Sequence, residues 1–325
     1  MLGMQRWVLA VTWCAALTSG PYAMAQVAEA DSGVAVVPRL RPQPGPEAEP
    51  LLRIDSSLVQ VPVHVTNAMG MTVDGLSVNN FRILEDRVEQ TVSSFSMDDA
   101  PVSIGFLFDA SGSMRNKMKK SAEAAAAFFR TANPEDEFFL IEFNDHARLL
   151  EPFTRDSNVI YEQIAHVRPQ GRTTLVDAVF LAIGQMKKAK HMRKAIVILS
   201  DGGDNWSRRS AHELRGALLE ADVQVYAMGI FDEEMRTVEE KNGPKLLDEI
   251  TEETGGRHYP VDDLERLPEI SERIGRELRN RYLLGYYPTN GTRDGKYRQV
   301  IVKLATPNAR ELHTNYRRGY YAPAD

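Results

Sequence analysis

The chain has 325 residues, of which 43% are apolar and 26% are charged, and its formal net charge is −6 at pH 7. This composition is ordinary for a globular protein and allows a sizeable buried core. The charge is mildly acidic and contains no long block of like charges, which argues against nucleic acid and anionic membrane surfaces as partners.

The first 25 residues have the three parts of a secretory signal peptide. Arg6 supplies positive charge, Val8 to Leu17 is apolar, and Ala23 to Ala25 reads AMA, a small-x-small cleavage pattern. We therefore predict cleavage before Gln26 and an exported protein, either periplasmic or secreted and associated with the cell envelope. No transmembrane span is expected after cleavage, because an apolar run of about ten residues is only about half the length that a spanning helix needs.

Cysteine and histidine usage narrows the possible chemistry. Cys14 is the only cysteine, so cleavage would leave a mature chain without thiol catalysis or cysteine-bound zinc. Lipidation of Cys14 is disfavoured because the bulky Trp13 precedes it, where that signal requires a small residue. The seven histidines form no His-x-His or His-x-x-x-His pair, which leaves a zinc site without its usual ligands.

Two segments of different composition follow the signal. Residues 26–50 contain five prolines and few large apolar side chains, which predicts an extended, disordered linker. From residue 58 apolar and polar side chains alternate, as in LVQVPVHVT, and FRILE, DR and VEQTVSSF predict a hairpin. We expect residues 58–97 to form a small β segment.

Residues 102–281 alternate between apolar strands and helices. The strands are VSIGFLF, EFFLIEF, KAIVILS and VQVYAMGI, and the helical stretches include residues 114–130, 175–188 and 264–281. Continuous apolar strands separated by helices indicate a parallel sheet that is covered on both faces. The prediction is a doubly wound, mostly parallel α/β domain of about 180 residues, a usual size for one domain.

The pattern returns to strands after residue 281, with YLLGYY, YRQVIVKLA and ELHTNYRRGYY. Neither flanking β segment has enough strands to be stable alone. We therefore expect residues 58–97 and 282–322 to pair into one small β-sandwich. The tyrosines of the last segment could form a sugar-stacking surface, but aromatic residues are also simply favoured in strands.

Polar residues follow the predicted strands where a doubly wound sheet binds its ligands. Asp109, Ser111 and Ser113 form Asp-x-Ser-x-Ser after the first α/β strand, Thr173 lies in the loop GRTT, and Asp201 ends AIVILSD. One carboxylate beside several hydroxyls suits Mg²⁺, which takes octahedral oxygen ligands and keeps several waters. The alternative is that the two serines cap the following helix.

The motifs DASGS, GRT and LSDGGDN occur in this order at plausible spacing, and the chain from 102 to 281 resembles the von Willebrand factor A domain with its metal-ion-dependent adhesion site. The resemblance implies Mg²⁺ or Mn²⁺ held by four residues, with a fifth ligating directly or through water. The four are Asp109, Ser111, Ser113 and Thr173, and the fifth is Asp201. It also implies an α/β fold that is Rossmann-like.

The flanking segments resemble those of an exported bacterial subfamily of such domains. That subfamily usually has Glu-Asp-Gly in the first hairpin, where this chain has Arg87 in place of the glycine. Thr174 stands beside Thr173 and is an alternative ligand, although Thr173 occupies the Gly-x-Thr position. Asp204 and Asp177 are further carboxylates near the crevice, and helix capping or surface solvation explains them more simply.

Three functions are compatible with these features. The first is an exported binding module, adhesive or scaffolding, that captures an Asp or Glu carboxylate of a protein partner through bound Mg²⁺. The second is a Mg²⁺-dependent hydrolase, against which stands the lack of a Gly-x-Ser-x-Gly elbow or a P-loop in the sequence. The third is a structural domain whose site binds no metal. We expect the first, a protein that is not an enzyme.

Overall fold

The computed structural model describes residues 58–97, 100–231 and 237–324. The predicted signal peptide, residues 1–25, and the predicted linker, residues 26–50, lie outside these residues. Within the described ranges, no helix has the length and apolar character needed to cross a lipid bilayer.

The secondary structure comprises strands in three sheets and six α-helices, for the ranges just given. The strands are β1 (Val59–Asn67), β2 (Phe81–Glu85), β3 (Val88–Gln90), β4 (Val92–Met97), β5 (Val102–Asp109), β6 (Glu137–Phe143), β7 (Ala147–Thr154), β8 (Arg193–Ser200), β9 (Gln224–Ile230), β10 (His258–Val261), β11 (Tyr282–Tyr286), β12 (Tyr297–Leu304), β13 (Leu312–Asn315) and β14 (Gly319–Tyr321). The helices are α1 (Met118–Phe129), α2 (Ser157–His166), α3 (Leu175–Met186), α4 (Ala211–Ala221), α5 (Val238–Glu252) and α6 (Leu267–Arg279).

The central sheet has the strand order β10-β9-β8-β5-β6-β7. Every neighbouring pair is parallel except β6 and β7, which are antiparallel. Every residue of β5 is buried, because the side chains on its two faces enter two separate cores. Phe106 and Phe108 pack with side chains of α1, α2 and α6, and Leu107 packs with side chains of α3, α4 and α5.

This arrangement confirms the predicted doubly wound α/β fold. The uninterrupted apolar sequence of β5 has a direct physical cause, since a strand covered on both sides has no solvent-facing position for polar residues. Because β5 pairs with both β6 and β8, the loop that follows Asp109 leaves the middle of the sheet at the carboxyl end. That is the place where open α/β sheets bind ligands.

Strands β7 and β10, at the two edges of the central sheet, and the start of α1 differ from the sequence prediction. Strand β7 was not predicted: it lies at the sheet edge and is only partly buried, so its sequence lacks the apolar run of the other strands. Helix α1 begins at Met118 rather than at Met114, because Gly112–Met114 form a separate 3₁₀ turn. The buried Lys117 stands between the two and donates from Nζ to the carbonyl oxygen of Ile230 at 3.1 Å.

The flanking segments form two four-stranded antiparallel sheets, with the orders β13-β1-β11-β4 and β14-β12-β2-β3. Each sheet combines strands from both sides of the α/β region, as in the pairing of Val61 with Leu284 and of Ile83 with Val302. The apolar faces of both sheets share one core, which confirms the predicted sandwich. The limits 58–97, 282–322 and 102–281 as domain boundaries stay predictions.

Several of the C-terminal tyrosines lie inside this core and not on its surface. Tyr282, Tyr286 and Tyr316 are buried there, and the Tyr286 hydroxyl donates to Glu85 Oε2 at 2.7 Å. Their packing agrees with the simpler explanation, in which aromatic residues are present because strands favour them.

Candidate metal-binding site

The first loop of the site follows β5. Asp109 is completely buried, and its Oδ1 accepts a hydrogen bond of 2.8 Å from the backbone N–H of Ser111. Its Oδ2 accepts a short hydrogen bond from the hydroxyl of Ser200, the last residue of β8. One carboxylate oxygen is therefore oriented by the loop itself and the other by the adjacent strand β8.

The two serines of this loop do not cap a helix. Ser111 precedes the 3₁₀ turn without a side-chain capping bond, and α1 begins after Lys117, which also lacks one. The hydroxyls of Ser111 and Ser113 instead lie 3.0 Å apart and bond to each other. Ser111 is buried whereas Ser113 is exposed, so the loop leads from the buried carboxylate to solvent.

The second loop precedes α3 and is attached directly to the first. Gly112 N donates to the carbonyl oxygen of Gly171 at 3.0 Å. Gly171 has a φ of 76°, and a Cβ at this position would lie 2.4 Å from Asp145 Oδ2, so the backbone conformation of the second loop and its packing against the β6–β7 turn both favour glycine.

The structure distinguishes between the two threonines of that loop. The hydroxyl of Thr174 donates to the carbonyl oxygen of Asn144 at 2.9 Å. For the hydroxyl of Thr173, which is buried, no hydrogen bond to another described residue is found. Thr173 is held through its backbone, since its N–H donates to Asn205 Oδ1 at 3.0 Å. The Thr173 hydroxyl is thus the one available as a ligand.

The third loop follows β8 and begins with Asp201. Asp201 is buried, with 6% of its surface exposed, and its Oδ1 accepts from Gly203 N at 3.2 Å. Asn205 and Trp206 in the same loop both donate from their backbone N–H to the carbonyl oxygen of Thr173, at 3.2 and 3.1 Å. The three loops are therefore joined to one another by main-chain hydrogen bonds.

The two other carboxylates near the crevice have structural partners. Asp204 Oδ2 accepts from Val176 N, in the first turn of α3, at 2.7 Å. Asp177 accepts from the backbone N–H groups of Arg208 and Arg209 at 3.1 and 3.3 Å. These contacts hold the third loop on α3, which agrees with the capping interpretation of both residues.

The electrostatics of the site favour a bound cation. Burial, and after it the negative charge of Asp201, raise the pKa of Asp109 to about 7, although hydrogen bonds from Ser111 and Ser200 oppose the rise. Asp109 and Asp201 are both buried, and two neighbouring buried carboxylates repel each other when both are ionised. A cation between them would remove this repulsion.

The residues present fit a hard divalent cation. All five candidate ligands offer oxygen, two as carboxylates and three as hydroxyls, which is the donor type that Mg²⁺ and Mn²⁺ prefer. No group of three or more His, Cys, Asp or Glu side chains suitable for a metal ion occurs among the described residues. With only two carboxylates among its five candidate ligands, the site is poor in negative charge. Water or a carboxylate from another molecule would have to complete the coordination of the cation.

Two residues that position this site are not among the candidate residues predicted from the sequence. Ser200 was counted as the end of a strand, yet its hydroxyl bonds to Asp109 and also accepts from Gly202 N at 3.0 Å. Asn205, which holds Thr173, lies four positions after Asp201. The only sequence signal for Ser200 was its place next to Asp201, at the end of an apolar run.

The rim of the crevice carries an exposed aromatic platform. The Arg172 guanidinium lies 3.6 Å from the centroid of the Trp206 ring, and half of the Trp206 surface is exposed. A cleft of about 250 Å³ borders Trp206 on one side of the site. A second cleft of about 240 Å³ borders Ser113 and Lys117.

A doubly wound sheet with an oxygen-rich crevice at its carboxyl ends defines a ligand-binding α/β domain. Residues 104–203 match the family model of the von Willebrand factor type A domain, so the chain contains a domain of this family, as the motifs predicted.

Comparison with known proteins gives distant relatives. An uncharacterized protein of Borreliella burgdorferi is 23% identical over an alignment of 168 positions that covers 46% of this chain and 49% of that protein. Inter-alpha-trypsin inhibitor heavy chain H2 of Sus scrofa is 26% identical over an alignment of 151 positions that covers 42% of this chain and 16% of that protein. The chain thus spans half or less of the length of these curated relatives.

Among solved structures, a von Willebrand factor type A protein from Catenulispora acidiphila is similar, with a TM-score of 0.49 and 14% identity. The similarity covers 84% of this chain and 75% of that one.

Proposed function

We propose that this protein is an exported binding module that captures an acidic residue of a protein partner through a divalent cation, Mg²⁺ or Mn²⁺. The cation would be held by Asp109, Ser111, Ser113 and Thr173, with Asp201 ligating directly or through water. The observation that carries the proposal is the meeting of three hydrogen-bonded loops around a buried carboxylate and a threonine hydroxyl that has no hydrogen-bond partner among the described residues.

The charge of this donor set supports binding over catalysis. A cation held mainly by neutral hydroxyls keeps much of its charge, so it attracts a further carboxylate strongly. Ser113 is exposed at the mouth of the crevice, where an Asp or Glu of the partner could approach. We therefore class the protein as adhesive or scaffolding and not as an enzyme.

The platform of Arg172 and Trp206 supplies contact area beside the cation. Arginine and tryptophan are the residue types that contribute most to protein interfaces, and stacking on the indole holds the guanidinium in one orientation. A positive group at this position also favours an acidic partner.

The test is Asp109→Ala in the full chain. The variant removes the buried carboxylate, and the remaining hydroxyls cannot compete with water for a strongly hydrated ion. We expect calorimetric titration to show Mg²⁺ binding in the wild type and none in the variant, with the circular dichroism spectrum unchanged because Asp109 lies at a strand end. Asp74→Ala is the control, since Asp74 is an exposed carboxylate in the segment between β1 and β2, outside the three loops of the site.

Equal Mg²⁺ affinity in wild type and Asp109→Ala would remove Asp109 from the site. Partner capture that is the same in Mg²⁺ and in EDTA would reject the adhesive mechanism even if the metal binds. Turnover of phosphate or acyl esters that requires Asp109 would instead support the hydrolase.

A further inference from the structure

A second cluster of polar side chains lies between the β-sandwich and the α/β region, where both faces of β1 are buried. Val61, Val63 and Val65 point into the sandwich core. The alternate residues His64 and Thr66 are also buried, with 1% and 0% of their surfaces exposed. A strand that is buried on both faces must satisfy its polar side chains against the neighbouring domain.

A cleft of about 460 Å³ opens at the end of β1. Its walls come from Thr66 and the turn that follows it to Gly70, from Arg257 and Tyr259 beside and in β10, and from Arg273 of α6. With His313 of β13, four separate parts of the chain contribute polar groups to one cavity.

The arginines around this cleft share one carboxylate. Arg273 Nε lies 3.2 Å from Glu277 Oε1, and Arg257 Nη1 lies 3.9 Å from the same oxygen. Arg281, one turn further along, donates from Nε to the Glu277 carbonyl oxygen at 2.9 Å. Glu277 is buried and also accepts from the hydroxyl of Tyr259. The two guanidinium groups that line the cleft thus share a single carboxylate, and that of Arg281 contacts the backbone of the same residue.

The charges of these arginines also act on the neighbouring side chain of His64. Burial, followed by the charges of Arg281, Arg257 and Arg273, lowers the pKa of His64 to about 3. The imidazole is therefore neutral, although Glu277 Oε2 lies 3.6 Å from its Nδ1.

One buried hydroxyl in the cleft wall has no partner. The hydroxyl of Thr66 is buried in this wall and makes no hydrogen bond within the described residues. A hydroxyl left in this state costs free energy unless a ligand completes it. The Arg273 side chain packs closely against the turn that follows β1. Gly70 in this turn has a φ of 71°, and a Cβ there would lie 2.0 Å from the Arg273 Nη2 atom.

We propose that this cleft binds a phosphate group, with Arg257 and Arg273 pairing with its oxygens and the Thr66 hydroxyl donating to it. Guanidinium groups match the oxygens of a phosphate in pairs. The cluster holds the positive charges of Arg257, Arg273 and Arg281 against the single negative charge of Glu277. A dianion balances this excess better than a monoanion does, so phosphate is favoured over a simple carboxylate. The site is separate from the metal-binding crevice and does not depend on it.

The experiment is calorimetric titration of the full chain with inorganic phosphate, in a phosphate-free buffer that contains EDTA. We expect saturable binding by the wild type and a loss of at least about tenfold in affinity for Thr66→Val, because a hydrogen bond to a charged group is lost. Ser121→Ala is the matched control, since the Ser121 hydroxyl is equally buried and without a hydrogen bond to any described residue, but lies on α1 outside the cleft.

Thr66→Val keeps the side-chain shape and breaks no observed hydrogen bond, so its thermal midpoint should equal or exceed that of the wild type. Arg257→Gln is the second variant and should also weaken phosphate binding. Titration with glycerol phosphate then tells whether the cleft takes the free ion or a phosphomonoester. Absence of phosphate binding in the wild type, or equal affinity in wild type and Thr66→Val, would overturn the proposal.

Discussion

The neutral, buried His64 predicts how the stability of this protein depends on pH. In the folded protein burial and three arginines lower its pKa from 6.5 to about 3. In the unfolded chain the imidazole titrates at its ordinary value. Below that value the unfolded chain binds a proton that the folded protein does not bind. The free energy of unfolding therefore falls as the pH drops from 6.5 towards 3.

The size of the effect follows from the shift. Each pH unit in this window costs about 1.36 kcal/mol, so moving from about pH 7 to about pH 5 should remove about 2 kcal/mol through His64 alone. His64→Gln should not show this loss, because glutamine carries no proton to titrate. Its amide can also replace the contact of His64 Nε2 with the Thr72 hydroxyl, which is 3.0 Å in length.

The measurement is urea unfolding of wild type and His64→Gln at both pH values. Carboxylates will lower the stability of both proteins on acidification, so the informative quantity is the difference between the two losses. His212→Gln, at an exposed position, is the control and should behave like the wild type. If wild type and His64→Gln lose the same stability between the two pH values, the imidazole is not held neutral by burial and the arginines, and the reasoning fails.

Two further substitutions test the metal-binding site and the helix packing. Ser200→Ala should lower Mg²⁺ affinity by roughly tenfold in calorimetric titration, because the Asp109 carboxylate loses a donor that orients it; unchanged affinity would mean that Ser200 has no such role. Gly275→Ala should destabilise the protein by about 1–3 kcal/mol in urea unfolding, because a Cβ on α6 would lie 1.8 Å from Thr131 Oγ1. The same change at Gly184 of α3, which has open space around it, should stabilise by up to about 1 kcal/mol, and equal effects at both positions would contradict the packing argument.

Much of the fold could be predicted from local patterns. The apolar runs of β5, β6, β8 and β9 are long because these strands are covered on both faces, and this property is visible without any knowledge of the partners. Strand β7 lacks that signal because an edge strand is only half covered. The two halves of the sandwich could be paired only by an energetic argument, since neither half is stable alone.

The site divides in the same way. The order of the motifs placed Asp109, Thr173 and Asp201 in one crevice, and the structure joins their loops by hydrogen bonds, while their roles as ligands stay predictions. The orientation of Ser200 depends on the register of β8 against β5, which no local pattern encodes. The cluster around Glu277 is harder still, because His64 and Glu277 are far apart in sequence and meet only in the folded protein.

The way the sandwich is shared between the two ends of the described chain has a consequence for biosynthesis. Strand β1 pairs with β11 and β13, and the buried contact of Glu85 with Tyr286 joins residues 201 positions apart. Translation proceeds from the N-terminus, so β1 and β2 must wait, with unpaired backbone groups, until the whole α/β region has left the ribosome. Closing so long a loop is slow, and a nascent chain that stops before residue 282 would present these strands to proteases or to one another.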